Sequence, residues 1–207
     1  MSVRERVAVG VQFFRRGLED FDTTANVVSS SRWLVDAMVS TVSRDAKIVV
    51  EFGPGTGTLT RAILARMAPD AKLYAIELEK SLLDGCLRAI DDPRLIGVHG
   101  SAADAVTLLG PEVLANADEV VSSLGLSLMD EDLRRSIMRA GSALLGPRAA
   151  LTQYAYVHAR YAAYSPGRKK WFTWDARPFM RGQWPSVRET MVWKNVPPAL
   201  VFTCRNG

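Results

Sequence analysis

The stretch Glu51-Phe52-Gly53-Pro54-Gly55-Thr56-Gly57 constrains this chain more than any other. Its three alternate glycines follow a short β-branched run, residues 47–52, and precede a helical pattern from Leu59 to Met67. Without Cβ atoms they let the backbone turn tightly and approach a ligand, and the helix behind them offers unpaired N–H groups. The spacing is G-x-G-x-G. A dinucleotide motif G-x-G-x-x-G needs its last glycine where Thr58 or Thr60 stands, which weakens a nicotinamide-dinucleotide reading. About 20 residues on, Glu77 ends a second run, residues 72–77, at the place where an acidic side chain accepts hydrogen bonds from both hydroxyls of a ribose.

The alternation continues beyond that unit. Residues 94–98, 118–122 and 149–156 read as further strands, with helical patterns Ser81–Ile90, Ala102–Leu109 and Asp130–Leu145 among them. Strands alternating with helices predict an α/β fold, a mostly parallel sheet with helices on both faces. Thr190–Trp193 and Leu200–Cys204 flank Pro197-Pro198 and read as two final strands. The 207 residues suit one domain, parsed as an extension over residues 1–40 and a ligand-binding domain over residues 41–207. Cys86 and Cys204 lie far apart, with neither a disulfide framework nor metal-site spacing, so no metal is expected.

In the extension, Val3, Val7, Val11, Phe14, Leu18 and Phe21 share one helical face, with Arg4, Arg15 and Arg16 opposite or flanking. Such a basic amphipathic helix either packs on the domain or docks on an anionic membrane surface. No apolar run reaches the roughly 18 to 20 residues of a membrane span, and arginines interrupt what a signal peptide would need. A cytoplasmic protein is expected. From Arg148 onward, ten Lys or Arg face only Asp175 and Glu189, a net +8, whereas residues 1–147 carry −4. Trp171, Trp174, Trp184 and Trp193 lie in that basic third, a composition that suits an anionic membrane surface, a nucleic acid, or a solvated face over core tryptophans.

Glu51 to Gly57 together with Glu77 resemble the class I S-adenosylmethionine-dependent methyltransferases. The resemblance implies a Rossmann-like fold with a mostly parallel seven-stranded sheet and an antiparallel C-terminal hairpin. It also implies S-adenosylmethionine as cofactor, with S-adenosylhomocysteine as product. Glu51, Gly53, Gly55, Thr56, Gly57 and Thr58 would surround the methionine part, Glu77 and Leu78 the ribose, and Ser101 and Ala102 the adenine.

Four longer segments resemble the bacterial phospholipid N-methyltransferases: V-V-S-S-S-R-W-L (27–34), V-V-S-S-L-G-L (120–126), L-T-Q-Y-A-Y (151–156) and V-W-K-N-V-P-P-A-L-V-F (192–202). This family implies stepwise methylation of phosphatidylethanolamine towards phosphatidylcholine by a peripheral enzyme on the inner face of the cell membrane. The substrate would be a phospholipid headgroup amine, with an ornithine-type aminolipid or a small amine as alternatives. Gly125 and Ser123 depart from the family's S-G-L-P-L loop, and residues 165–188 read as added or divergent sequence. An adenine-specific ribosomal RNA dimethyltransferase shares the cofactor loop but uses N-L-P-Y after the fourth strand. Here that stretch is Ser123-Leu124-Gly125-Leu126, which argues against a nucleic acid partner. For methyl transfer to an amine, Tyr156 is the candidate for orienting the nitrogen, His158 for taking its proton, and Ser122 for a further contact. Tyr154, Tyr161 and Tyr164 add aromatic faces suited to a methylated cation.

Overall fold

In the computed structural model, residues 31–165 and 170–207 are described. The helix expected over Val3–Phe21, with Arg4, Val7, Val11, Phe14, Arg15, Arg16 and Leu18, lies outside them. Ile48–Phe52 (β1) is an interior strand of a seven-stranded sheet, and four of its five residues are buried because helices cover both faces. β1 pairs in parallel with Lys72–Glu77 (β2), which pairs with Leu95–His99 (β3). On its other side it pairs with Ala117–Ser122 (β4), which pairs in parallel with Leu145–Tyr156 (β5). A separate small hairpin follows, Ala163–Ser165 (β6) with Lys170–Phe172 (β7). Ser186–Val192 (β8) and Ala199–Arg205 (β9) then close the sheet in the order β3-β2-β1-β4-β5-β9-β8, with β9 antiparallel to both neighbours.

Period-two alternation divides the apolar side chains between two cores. On one face Val49, Val121 and Val201 meet the helices Arg32–Met38 (α1), Thr58–Arg66 (α2) and Lys80–Ala89 (α3) through Leu34, Met38, Ile63 and Cys86. On the other, Phe52, Leu151 and Phe202 meet Ala105–Leu109 (α4), Glu131–Leu144 (α5) and Ala176–Gln183 (α6) through Leu109, Met138, Leu144 and Met180. α1 begins at Ser31, whose hydroxyl accepts from the Leu34 N–H at 3.4 Å, and it buries Leu34, Val35 and Met38 on one stripe.

Two strands begin earlier than the sequence pattern suggests. β5 starts at Leu145 and not at residue 149, because Gly146-Pro147-Arg148 forms an irregularity across which the pairing with β4 shifts, with Arg148 at φ +68°. β8 starts at Ser186 and not at Thr190, since Arg188 and Glu189 occupy an edge strand where one face is wet. Residues 165–188 therefore hold β7, α6 and the start of β8. Glu189 accepts from Arg177 Nε at 3.2 Å and from Arg181 at 2.8 Å, which fastens α6 to β8.

Candidate active site

The glycine loop joins the carboxyl end of β1 to the amino end of α2. Gly53, Gly55 and Gly57 all have positive φ, at +79°, +53° and +85°. A side chain at Gly53 would place its Cβ 2.8 Å from Leu124, and one at Gly57 would place it 2.7 Å from Ile90, so both positions exclude larger residues on space as well as conformation. Gly55 differs: a Cβ there would meet nothing within 4 Å and would stand in the open space over the loop. Thr56 is exposed on the same loop, and Thr58 is exposed at the first position of α2.

Two buried carboxyls lie beneath it. Glu77, 2 % exposed at the end of β2, accepts from the Gly55 N–H at 3.3 Å through Oε2, and from the Leu78 and Glu79 N–H groups at 2.9 and 3.1 Å through Oε1. Burial holds its pKa above the usual carboxylate range against the pull of those donors. A carboxylate offers about four acceptor sites, so one remains for a ligand hydroxyl. Glu51 is fully buried, and neither of its oxygens has a hydrogen-bond partner. Burial pushes its carboxyl up to about 8, opposed by the nearby Thr60 hydroxyl and reinforced by Glu77. Ser101 and Ala102 are buried just after β3, where the Ser101 hydroxyl accepts from the Ala103 N–H at 3.2 Å; the Gly100 N–H meets the Glu77 carbonyl at 2.9 Å. The structure thus gathers the glycine loop, Glu77, Leu78, Ser101 and Ala102 at the carboxyl ends of three adjacent strands, the position where open α/β sheets bind ligands.

The acceptor residues divide between the two faces. Tyr154 and Tyr156 point to the α1 side, with ring centroids 5.3 Å apart and edge to face. The strand ends at Tyr156 and turns into a short 3-10 helix, Val157–Arg160, so His158 does not continue the β alternation; its exposed ring instead stacks on Tyr156 at 5.6 Å. Burial raises the Tyr156 phenol, which is consequently protonated at neutral pH. Ser122 pairs in register with Gln153 on the opposite face, buried, its hydroxyl without a partner, so the structure does not bring it together with Tyr156. Tyr164 packs on Trp171 at 5.5 Å and Tyr161 is exposed, both beyond the Tyr154–Tyr156 pair. Gln153 escaped the sequence reading: it donates to the carbonyls of Leu124 and Tyr154 at 2.9 and 2.7 Å and leaves its own buried carbonyl unpartnered. Its signal was a long amide within the strand pattern of residues 149–156.

The whole chain superposes on 91 % of 1,6-didemethyltoxoflavin-N1-methyltransferase from Burkholderia thailandensis, solved with S-adenosylhomocysteine, at a TM-score of 0.72 and 17 % identity. The fold is that of the class I methyltransferases. No protein-family model matches the chain. Among curated proteins this class I fold has a relative along nearly its full length, the ornithine lipid N-methyltransferase of Singulisphaera acidiphila, at 26 % identity over 94 % of the chain and 92 % of the relative. Ribosomal RNA small subunit methyltransferase A of Burkholderia ambifaria is also 26 % identical, but over 60 % of the chain and 54 % of its own length.

Proposed function

We propose that this protein is an S-adenosylmethionine-dependent N-methyltransferase acting on the headgroup amine of a membrane aminolipid. The cofactor reading rests on the Glu77 carboxylate held against the Gly55 N–H beneath an open glycine loop, with the unpartnered carboxyl of Glu51 alongside. Bound there, S-adenosylmethionine supplies an electrophilic methyl group on a sulfonium. Glu77 accepts a ribose hydroxyl, Gly55 admits the ligand over its missing side chain, and Ser101 and Ala102 flank the adenine. Glu51 is a buried acid whose ionised form a neighbouring cation would favour.

The acceptor reading rests on the end-to-end likeness to the ornithine lipid enzyme, set against the partial match to the ribosomal RNA enzyme. The protonated Tyr156 hydroxyl presents a lone pair that orients the attacking nitrogen, and the exposed His158 ring stacked on it receives the proton. The phenol acts by orientation and not as a phenolate. Ornithine lipid and phosphatidylethanolamine both present a primary amine at a bilayer surface. Vesicles holding both lipids, incubated with the protein and S-adenosylmethionine and analysed by mass spectrometry, decide between them: methylated ornithine lipid is the expected product. Methylated phosphatidylethanolamine alone would move the assignment to the phospholipid headgroup, and methylation of neither would end the aminolipid reading.

A further inference from the structure

Among the described residues five large aromatic side chains are exposed, Trp33, Tyr161, Tyr164, Trp171 and Trp193. All lie on segments that leave or approach the carboxyl end of the sheet, and three observations single out the rim built from the start of α1 and the β8–β9 turn.

The first is position. Ala199 pairs with Tyr156 and with Val192, so the turn between them, which carries Trp193 and Val196, stands beside the end of β5 at the candidate active site. The second is rigidity. Asn195, 1 % exposed, accepts from the Ser31 hydroxyl at 2.6 Å and donates to the Pro197 carbonyl at 2.7 Å, which clamps the turn to the N-cap residue of α1. On that clamp Trp193 and Val196 are each 71 % exposed and Trp33 is 41 % exposed. The third is charge. Arg32 lies 5.3 Å and Lys194 5.7 Å from the Trp33 ring, so two cations stand against the indole.

Indoles settle at the headgroup level of a bilayer, and nearby Lys and Arg are drawn to anionic lipid. Val196 separates this surface from one made for nucleic acid, because an aliphatic tip neither stacks on a base nor binds phosphate, whereas it suits the boundary between headgroups and acyl chains. We infer that the start of α1 and the β8–β9 turn dock on an anionic lipid bilayer, with Trp33, Trp193 and Val196 entering the headgroup boundary and Arg32 and Lys194 meeting lipid phosphates. The inference rests on the aminolipid reading, which requires the carboxyl end of the sheet to face a membrane.

The test sediments the full-length protein, and its Trp33→Ala/Trp193→Ala/Val196→Ser variant, with vesicles of equal parts phosphatidylcholine and phosphatidylglycerol. The variant's vesicle affinity is expected to fall about tenfold. Its affinity for S-adenosylhomocysteine by calorimetry, and its methylation of a short-chain, water-soluble aminolipid, are expected to match the wild type. Lys194→Glu keeps every aromatic ring and guards against misfolding of the triple variant. It is expected to lower affinity for the anionic vesicles while leaving affinity for pure phosphatidylcholine vesicles unchanged. Wild-type sedimentation of both variants overturns the inference, as does a triple variant that loses binding to a structured RNA while keeping its hold on vesicles. Because sedimentation is read without turnover, failure of the wild-type protein to methylate any aminolipid counts separately, against the functional proposal.

Discussion

At the scale of single residues, the candidate cofactor site was legible because its residues carry a rigid spacing: alternate glycines after a strand, then an acid closing the next strand. The structure adds the reason for each glycine, two held by close neighbours and Gly55 by open space. Glu77→Ala should therefore weaken S-adenosylmethionine binding by tenfold or more, as a hydrogen bond to a charged group is worth about 1.5–3 kcal/mol. Gly55→Ala should weaken it through the methyl group placed over the loop, with about 1 kcal/mol of backbone strain besides. Titration calorimetry measures both. The face of Ser122 and the role of Gln153 were not legible, because they depend on the register of β4 against β5. Tyr156→Phe should reduce turnover about ten- to hundredfold while leaving cofactor affinity unchanged, which steady-state kinetics and calorimetry together check. Glu51 gives a pH signature. Its carboxyl titrates near 8 when folded against 4.5 in an unstructured chain, so between those values the folded protein holds a proton that the unfolded chain has released. Stability should accordingly fall as pH rises from about 4.5 to about 8, by on the order of 2–5 kcal/mol, and level off above that. Glu119, raised to about 7 by burial, acts in the same direction. Glu51→Gln should flatten the upper part of the slope in urea unfolding measured at pH 6 and pH 8.5.

At the scale of elements, β1 to β4 followed apolar periodicity to within a residue, because each is a short run dominated by apolar and β-branched side chains. The pattern failed where tertiary pairing, and not local sequence, makes the strand. Leu145 joins β5 across a glycine, a proline and a left-handed arginine, and Ser186–Glu189 join β8 through pairing with β9 and ion pairs to α6. The tie between α1 and the β8–β9 turn was equally hidden, since Ser31 and Asn195 are 164 residues apart. Asn195→Ala removes the acceptor for the Ser31 hydroxyl and the donor to Pro197, in a site nearly closed to water. A loss of about 1–3 kcal/mol is expected, read as a lower thermal midpoint. Ser31→Ala should be less than additive with it in a double-mutant cycle.

At the scale of the whole molecule, the sheet brings the glycine loop, the two buried carboxyls and the Tyr154–Tyr156 pair to one end, and the exposed tryptophans of the α1 start and the β8–β9 turn to the same end. Among the described residues no helix is long and apolar enough to cross a membrane. The basic, tryptophan-rich third of the sequence left membrane and nucleic acid both open, because composition does not say where side chains stand. Action of this methyltransferase fold on a lipid amine is read by incubating the purified full-length protein with S-adenosylmethionine labelled on its methyl group, in the presence of aminolipid vesicles and ribosomal RNA together, and then extracting the lipid. Label is expected in the organic phase, reduced with Glu77→Ala and with Tyr156→Phe; label confined to the RNA, or in neither, would contradict a lipid acceptor.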